Sequence, residues 1–574
     1  MASSSFKDLA SSSRHFGRCV DFINTSIIAV PPRFFGSTQG CAHAIHIGNI
    51  TQPHETIISS SKAFSYNLIL FFYCLRIFAL SFLWKKRLGD NASDLLKHYY
   101  ADILRRPEML EALHDYDKAQ LIMIAESNRA PKSAIKKLVR AIASMERKGV
   151  VPERTALWNV IHGGEDYLRQ KCGEDAAGWI HLGRSSPTIR VVASRIAFRR
   201  KLLEIMDSNL ALRLAMIKLA RKHIKTLMPG YAYIQHIEPG TFGFYVMSFV
   251  EPLARDFTRL KNAYENANVS AVCTGGGYGV EYDLDIKRLD ELLGFKTEMW
   301  NARDSIRNYD YAVEAYMGLT LMHNTLGRLA LDFLIWHSKE FNFIRLPGRH
   351  SITSSIAPQM RIPYVLEFIN GTSGLITGRL MEMLAVLKTA SDQLEAATML
   401  PAEFWTCCDE SAAAIEALID CLNEIEVNKQ RMADKAQAHW VQATTLIAYL
   451  VNEKSMSFRV AHQILSTIGQ EVIDKNLPPT DITVELVEAA AVAHNGKKIG
   501  LTEDALKNTL NAWTGVEGRR YRGGTAPSQV QKHITAAKTS CAKDKKILEM
   551  LGRGVERANK KRNQAFEKLK NEMC

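Results

Sequence analysis

The residues that could do chemistry sit in short breaks between long apolar-striped segments. The first break is "HLGRSSPT" (181–188), with an imidazole, a guanidinium and two hydroxyls in six residues. The second is "MPGYAYIQHIEPG" (228–240), carrying Tyr233, Gln235 and His236. A third, "CTGGGYG" (273–279), is glycine-rich, and the fourth, "SSIAPQMRIP" (354–363), pairs Ser354 with Ser355 ahead of two prolines. Residue types alone leave each open. Adjacent hydroxyls serve either to cap their own loop or to form a reactive site. The glycines lack the preceding strand and the following Lys-Ser/Thr of a phosphate cradle, and so read as a turn. His236 reads either as a proton carrier or as a surface histidine at a helix start.

The elements that must position these breaks are helices. Phe198, Leu202, Ile205, Leu212, Met216 and Leu219 recur at spacings of 4, 3, 7, 4 and 3, one apolar face of a long helix that Pro229-Gly230 ends. Further helical patterns are expected over 309–341, 371–400 and, after the breaker Pro401, over 408–432. Helices of about thirty residues run about 45 Å, which implies an elongated bundle. Strand signals are sparse, so the fold class is all-α.

Ten cysteines at irregular spacing in 574 residues do not form a disulfide framework, and a reducing compartment is expected. Cys41, His43 and His46 lack a second half for a metal site, and no metal ligand set is assigned. The net charge of +13 is partly concentrated in the basic stretch 542–571, read as a solvated helix face. With no RNA-binding signature or zinc-finger spacing, nucleic acid is not an expected partner. Residues 64–84 are apolar enough for a membrane span, but Arg76 interrupts them and Lys85-Lys86-Arg87 follows. Residues 1–90 are therefore read as a leader on a cytoplasmic body, the alternative being membrane contact or organelle targeting. The body is divided into an N-terminal helical domain (91–195), a central long-helix bundle (196–440), a C-terminal helical domain (441–540) and a basic helical tail (541–574).

Taken in order, "HLGRSSPT", "PGYAYIQ" and "TSSIAPQMRIP" resemble the HTGRSRND, PGYTHLQ and GSSxMPxKxNP loops of the argininosuccinate lyase branch of the fumarase/aspartase superfamily. "LDELLGF" (289–295), "HSKEFNFIRLP" (337–347), "LEFINGTSGLITGRL" (366–380), "YLVNEKSMSFRVAH" (449–462) and "YRGGTAP" (521–527) agree with further family segments, so the resemblance covers roughly 91 to 540. It implies a three-part helical subunit whose long helices form a homotetramer around a twenty-helix core, with each active site shared between subunits. The implied reaction is a β-elimination that releases fumarate from a small succinyl-amine such as argininosuccinate, without a cofactor.

By the same resemblance Ser354 is the base, and Tyr233 or His236 takes the role of the family histidine. His181, Arg184, Ser185, Gln235, Ser355 and Arg361 are the expected substrate contacts. Several family positions differ: Ala232 replaces Thr, Tyr233 replaces His, Met360 replaces Lys, Ile362 replaces Asn, and Ser186-Pro187-Thr188 replaces Arg-Asn-Asp. The losses fall on groups that grip the succinyl half. They fit either an altered substrate or a catalytically impaired structural or regulatory homologue.

Overall fold

The structure, a computed structural model, describes residues 105–157, 159–388, 400–475 and 477–573. The expectations for residues 1–90, including the apolar stretch 64–84 and the Cys41/His43/His46 group, lie outside them. Among the described residues no helix is long and apolar enough to cross a membrane.

The described chain is helical apart from two small two-stranded antiparallel sheets. The opening layer holds α1 (Pro107–Glu126), α2 (Lys132–Lys148) and α3 (Gly163–Cys172). The 37-residue α4 (Ser186–Lys222) follows, about 56 Å long at 1.5 Å per residue. A hairpin of β1 (Leu227–Ala232) and β2 (Gln235–Thr241) leads into α5 (Phe242–Ala267), α6 (Asp310–His337), α7 (Tyr364–Leu387) and α8 (Leu400–Glu424).

The apolar stripe read along α4 is buried at every position named: Phe198, Leu202, Ile205, Leu212, Met216 and Leu219. Residues 188–199 are buried on all sides, because α4 packs against α1, α5 and α8 at once. Phe198 stacks on Phe404 at 4.1 Å and meets Trp405 and Tyr311 edge-on, joining α4, α8 and α6. Burying Arg199 is offset by its bonds to the carbonyls of Leu293 and Gly294, which close the Ile286–Leu293 helix.

Several boundaries differ from expectation. Pro401 does not break a helix but lies in the first turn of α8, where a missing N–H costs nothing. The segment expected as a loop at 228–240 is the hairpin. The divisions placed at 195/196 and 540/541 fall inside continuous helices, α4 and the final Pro527–Met573 helix. A second, smaller apolar core runs from Leu446 to Leu506, between helices Ala443–Lys454, Phe458–Asp474 and Val484–Asn495. The final helix, α9 below, buries one face through Val530, Ile534, Ala537, Cys541, Leu551, Ala558, Phe566 and Leu569, and packs on α1, α2, α4 and α5.

Candidate active site

The first break is a turn whose shape depends on Gly183. Its φ is +75°, and a Cβ there would lie 2.6 Å from a Leu284 methyl. Arg184 beside it is buried. Its guanidinium donates to Asp117 at 2.8 Å and lies 4.9 Å from the Tyr116 ring centroid. Asp117 also accepts from Arg154. Burial would raise the Asp117 carboxyl, but the two guanidiniums outweigh it and hold it below the usual range. Arg184 thus faces the Asp117 carboxylate, and its bonds anchor the loop.

Ser185 caps α4 by accepting from Thr188 N–H at 3.3 Å, and donates to the Gly275 carbonyl at 2.5 Å. Thr188 reaches the same carbonyl at 2.8 Å. The first and third breaks, about ninety residues apart in sequence, are latched together here. Pro187 falls in the first turn of α4, where no N–H is required. His181 donates through Nδ1–H to Glu165 Oε2 at 2.9 Å, and its ring stacks on His162, centroids 5.5 Å apart. Glu165 and His162 were not singled out from sequence. Their separation from His181 leaves only the His162-x-x-Glu165 spacing as a signal.

The second break is a β-hairpin with Ala232 opposite Gln235 and a two-residue tip, Tyr233-Ile234. Both tip residues have positive φ, 53° and 59°, the geometry of a type I′ turn. Tyr233 is 98% exposed and Gln235 is exposed beside it. His236 points to the other side, 4.8 Å from the His439 ring in a parallel stack and 4.9 Å from Tyr231. Burial, helped by the nearby His439 and Lys435 charges, pushes its pKa down to about 4, so it is neutral near pH 7. The hairpin therefore presents Tyr233 and holds His236 beneath. A cavity of about 470 Å³ lies between the hairpin and helices α5 and α6, where Tyr245 donates to Asp332 at 2.6 Å.

The fourth break is pinned at its neck by Ile352 and Ile362, which exchange backbone hydrogen bonds at 3.0 and 2.9 Å. Inside the neck, Ser354 Oγ accepts from the N–H groups of Ile356 at 3.3 Å and Ala357 at 3.1 Å. Two donors aimed at one hydroxyl oxygen lower the cost of placing negative charge there. Ser355 is exposed. Arg361 donates to the Leu346 carbonyl at the loop base, and its Nε is buried without a hydrogen-bond partner. Met360, where the family cation was sought, is about half exposed.

Each of these loops finds the partners named above in its own surroundings: the first at Asp117 and Gly275, the hairpin at His439, and the serine loop at its own backbone. Long helices presenting chemically equipped loops, with strands reduced to two short antiparallel pairs, define the fumarase/aspartase type of fold. Solved structures agree. An EDDS lyase in complex with formate superposes with a TM-score of 0.77 at 24% identity, over 84% of this chain and 97% of that one. A class II fumarase from Schistosoma mansoni gives 0.61 at 14% identity, over 71% and 90%. A family model described as Lyase matches residues 123–378.

Among curated relatives, argininosuccinate lyase 1 of Shouchella clausii is 30% identical over 468 residues, 81% of this chain and 92% of that protein. The argininosuccinate lyase of Methanosphaera stadtmanae is 29% identical over 422 residues, 73% and 90% respectively. This chain belongs to the argininosuccinate lyase family.

Proposed function

We propose that the protein is a carbon–nitrogen lyase that releases fumarate from a succinyl-amine, argininosuccinate or a close relative of it. The observation that carries this reading is the pair of backbone N–H groups on Ser354 Oγ. They stabilise the Ser354 alkoxide left when the hydroxyl proton passes to solvent, and that alkoxide takes a proton from the carbon beside a carboxylate. As the C–H bond breaks, its electron pair forms the new C=C bond and the C–N pair leaves with nitrogen. Tyr233, at the hairpin tip, protonates the departing nitrogen. His236 holds the hairpin from below through its stack on His439. His181, Gln235, Ser355 and Arg361 surround the substrate, while Arg184 and Ser185 fix the first loop.

The hairpin tip is exposed, and the three loops find separate partners within one chain. The reading therefore includes a homotetramer in which neighbouring subunits complete each site, in a cytoplasmic reaction that needs no cofactor. Met360 and Ile362 leave the succinyl half less strongly held than the family pattern does, which favours a substrate with a differently placed acid arm. Similar proteins named for EDDS and for argininosuccinate fit a scaffold that accepts more than one amine.

The test is fumarate release from argininosuccinate by the purified protein and by Ser354→Ala. Loss of the base lowers the rate by about 10²–10⁴-fold. No fumarate from argininosuccinate or other succinyl-amines, with a folded assembly, supports the second reading: a structural or regulatory homologue, favoured by the replaced polar positions.

A further inference from the structure

We propose that His162, Glu165 and His181 form a binding site for a divalent transition-metal ion of the zinc or cobalt(II) class. The three side chains offer two imidazole nitrogens and a carboxylate oxygen, all within 4.8 Å of one another. His162 Nδ1 lies 3.6 Å and His181 Nδ1 2.9 Å from the same oxygen, Glu165 Oε2. In a tetrahedral site with bonds of about 2.0–2.1 Å, neighbouring ligand atoms stand about 3.3 Å apart. A bound ion would require the widest separation, up to 4.8 Å, to close toward that spacing.

The surroundings prepare the ligands. His162 is buried, and its Nε2 is 2.7 Å from Ser186 Oγ. With the proton on Nε2 donated to that hydroxyl, Nδ1 keeps its lone pair and faces Glu165, the outer-shell arrangement that fixes a ligating tautomer. The His162 backbone N–H is tied to Asn159 Oδ1 at 2.9 Å, which steadies the ring's origin. The nearby guanidiniums of Arg154 and Arg184 are bonded to Asp117, and Arg169 is bonded to Asp166. The Glu165 carboxylate brings one negative charge to the ligand set. The His181 side chain is 35% exposed, so an ion has a way in and a fourth ligand position on the open side.

Cys41, His43 and His46 also carry metal-ligating groups, so the experiment separates this site from them. The full chain is stripped with a chelator, dialysed and titrated with Co²⁺, following the visible d–d bands, and with Zn²⁺ by calorimetry. The expected result is one ion per chain from this site, weakened at least about 100-fold by His162→Ala or Glu165→Gln and about 10-fold by Ser186→Ala. Circular dichroism reports folding of each variant. If one fails to fold, His181→Asn serves in its place. A silent Co²⁺ titration of the wild type overturns the proposal. So does binding that His43→Ala removes and the 162, 165 and 181 variants leave unchanged.

Discussion

Gly164 shows how a single missing carbon supports the first loop. A Cβ there would collide with the Asp117 carboxylate and come within 2.7 Å of the Arg154 guanidinium. Asp117 holds two buried guanidiniums, so displacing it leaves charges unpaired in the interior. Gly164→Ala is expected to destabilise the protein by about 3 kcal/mol, read from urea unfolding. The altered serine loop gives a second residue-scale expectation. Met360→Lys with Ile362→Asn restores the family cation and amide, each charge-assisted contact being worth about 1.5–3 kcal/mol. Turnover of argininosuccinate then rises at least about tenfold, and unchanged kcat/KM with this substrate counts against the assigned loop geometry.

At this scale the sequence marked where Ser354 and His181 leave regular helix, and the resemblance, not residue type, proposed their roles. The environments of Arg184 and Arg361 were not legible, because the partners that bind their guanidiniums, Asp117 and the Leu346 carbonyl, are chosen by the fold. Glu165 was invisible for the same reason.

The hairpin is the element that sequence reasoning took for a loop. Its strands carry Pro229 opposite Pro239, plus two glycines, all of which argue against a strand. Its tip lacks the Asn-Gly that a type I′ turn favours. Placing Tyr and Ile at positive φ costs about 1–2 kcal/mol per residue, strain that a tip built only for stability would not keep. Replacing Tyr233-Ile234 by Asn-Gly is therefore expected to raise the unfolding midpoint while lowering the elimination rate.

The hairpin is also tied to acid sensitivity. The pKa values of His236, His223 and His323 are each pushed by burial from 6.5 down to about 4. In that interval the unfolded chain binds protons that the folded chain refuses, so stability is full above about 6.5 and falls as pH drops toward 4. Urea midpoints measured across this range check the slope, and His236→Gln is expected to flatten it.

At the scale of the whole molecule, α7 carries an outward face that does not suit water. Tyr364, Phe368, Leu375 and Met381 are 54, 50, 65 and 62% exposed, with Gly371, Gly374 and Gly378 between them. Such a stripe lets another helix approach closely. Under the proposed tetramer it is buried between subunits, and Leu375→Glu is expected to split the assembly and abolish activity together. A Leu375→Glu protein that sediments like the wild type argues against α7 as the contact. The long helices were legible from their periodicity. Which face the proposed tetramer would bury was not, since a stripe for the core and one for a partner obey the same spacing.

The last helix, α9, has a consequence for how the chain comes into being. Its residues Arg562 and Asn563 bond to Asp115 and Lys118, 445 positions back for the latter pair, and Phe566 lies under the Lys118 ammonium at 4.5 Å. Residues near 115 leave the ribosome long before their partners are made. At about 5–20 residues per second, that delay is tens of seconds. During it the face of α1 and α2 that meets α9 waits uncovered. Completion of the α1–α2 layer thus waits until α9 is made.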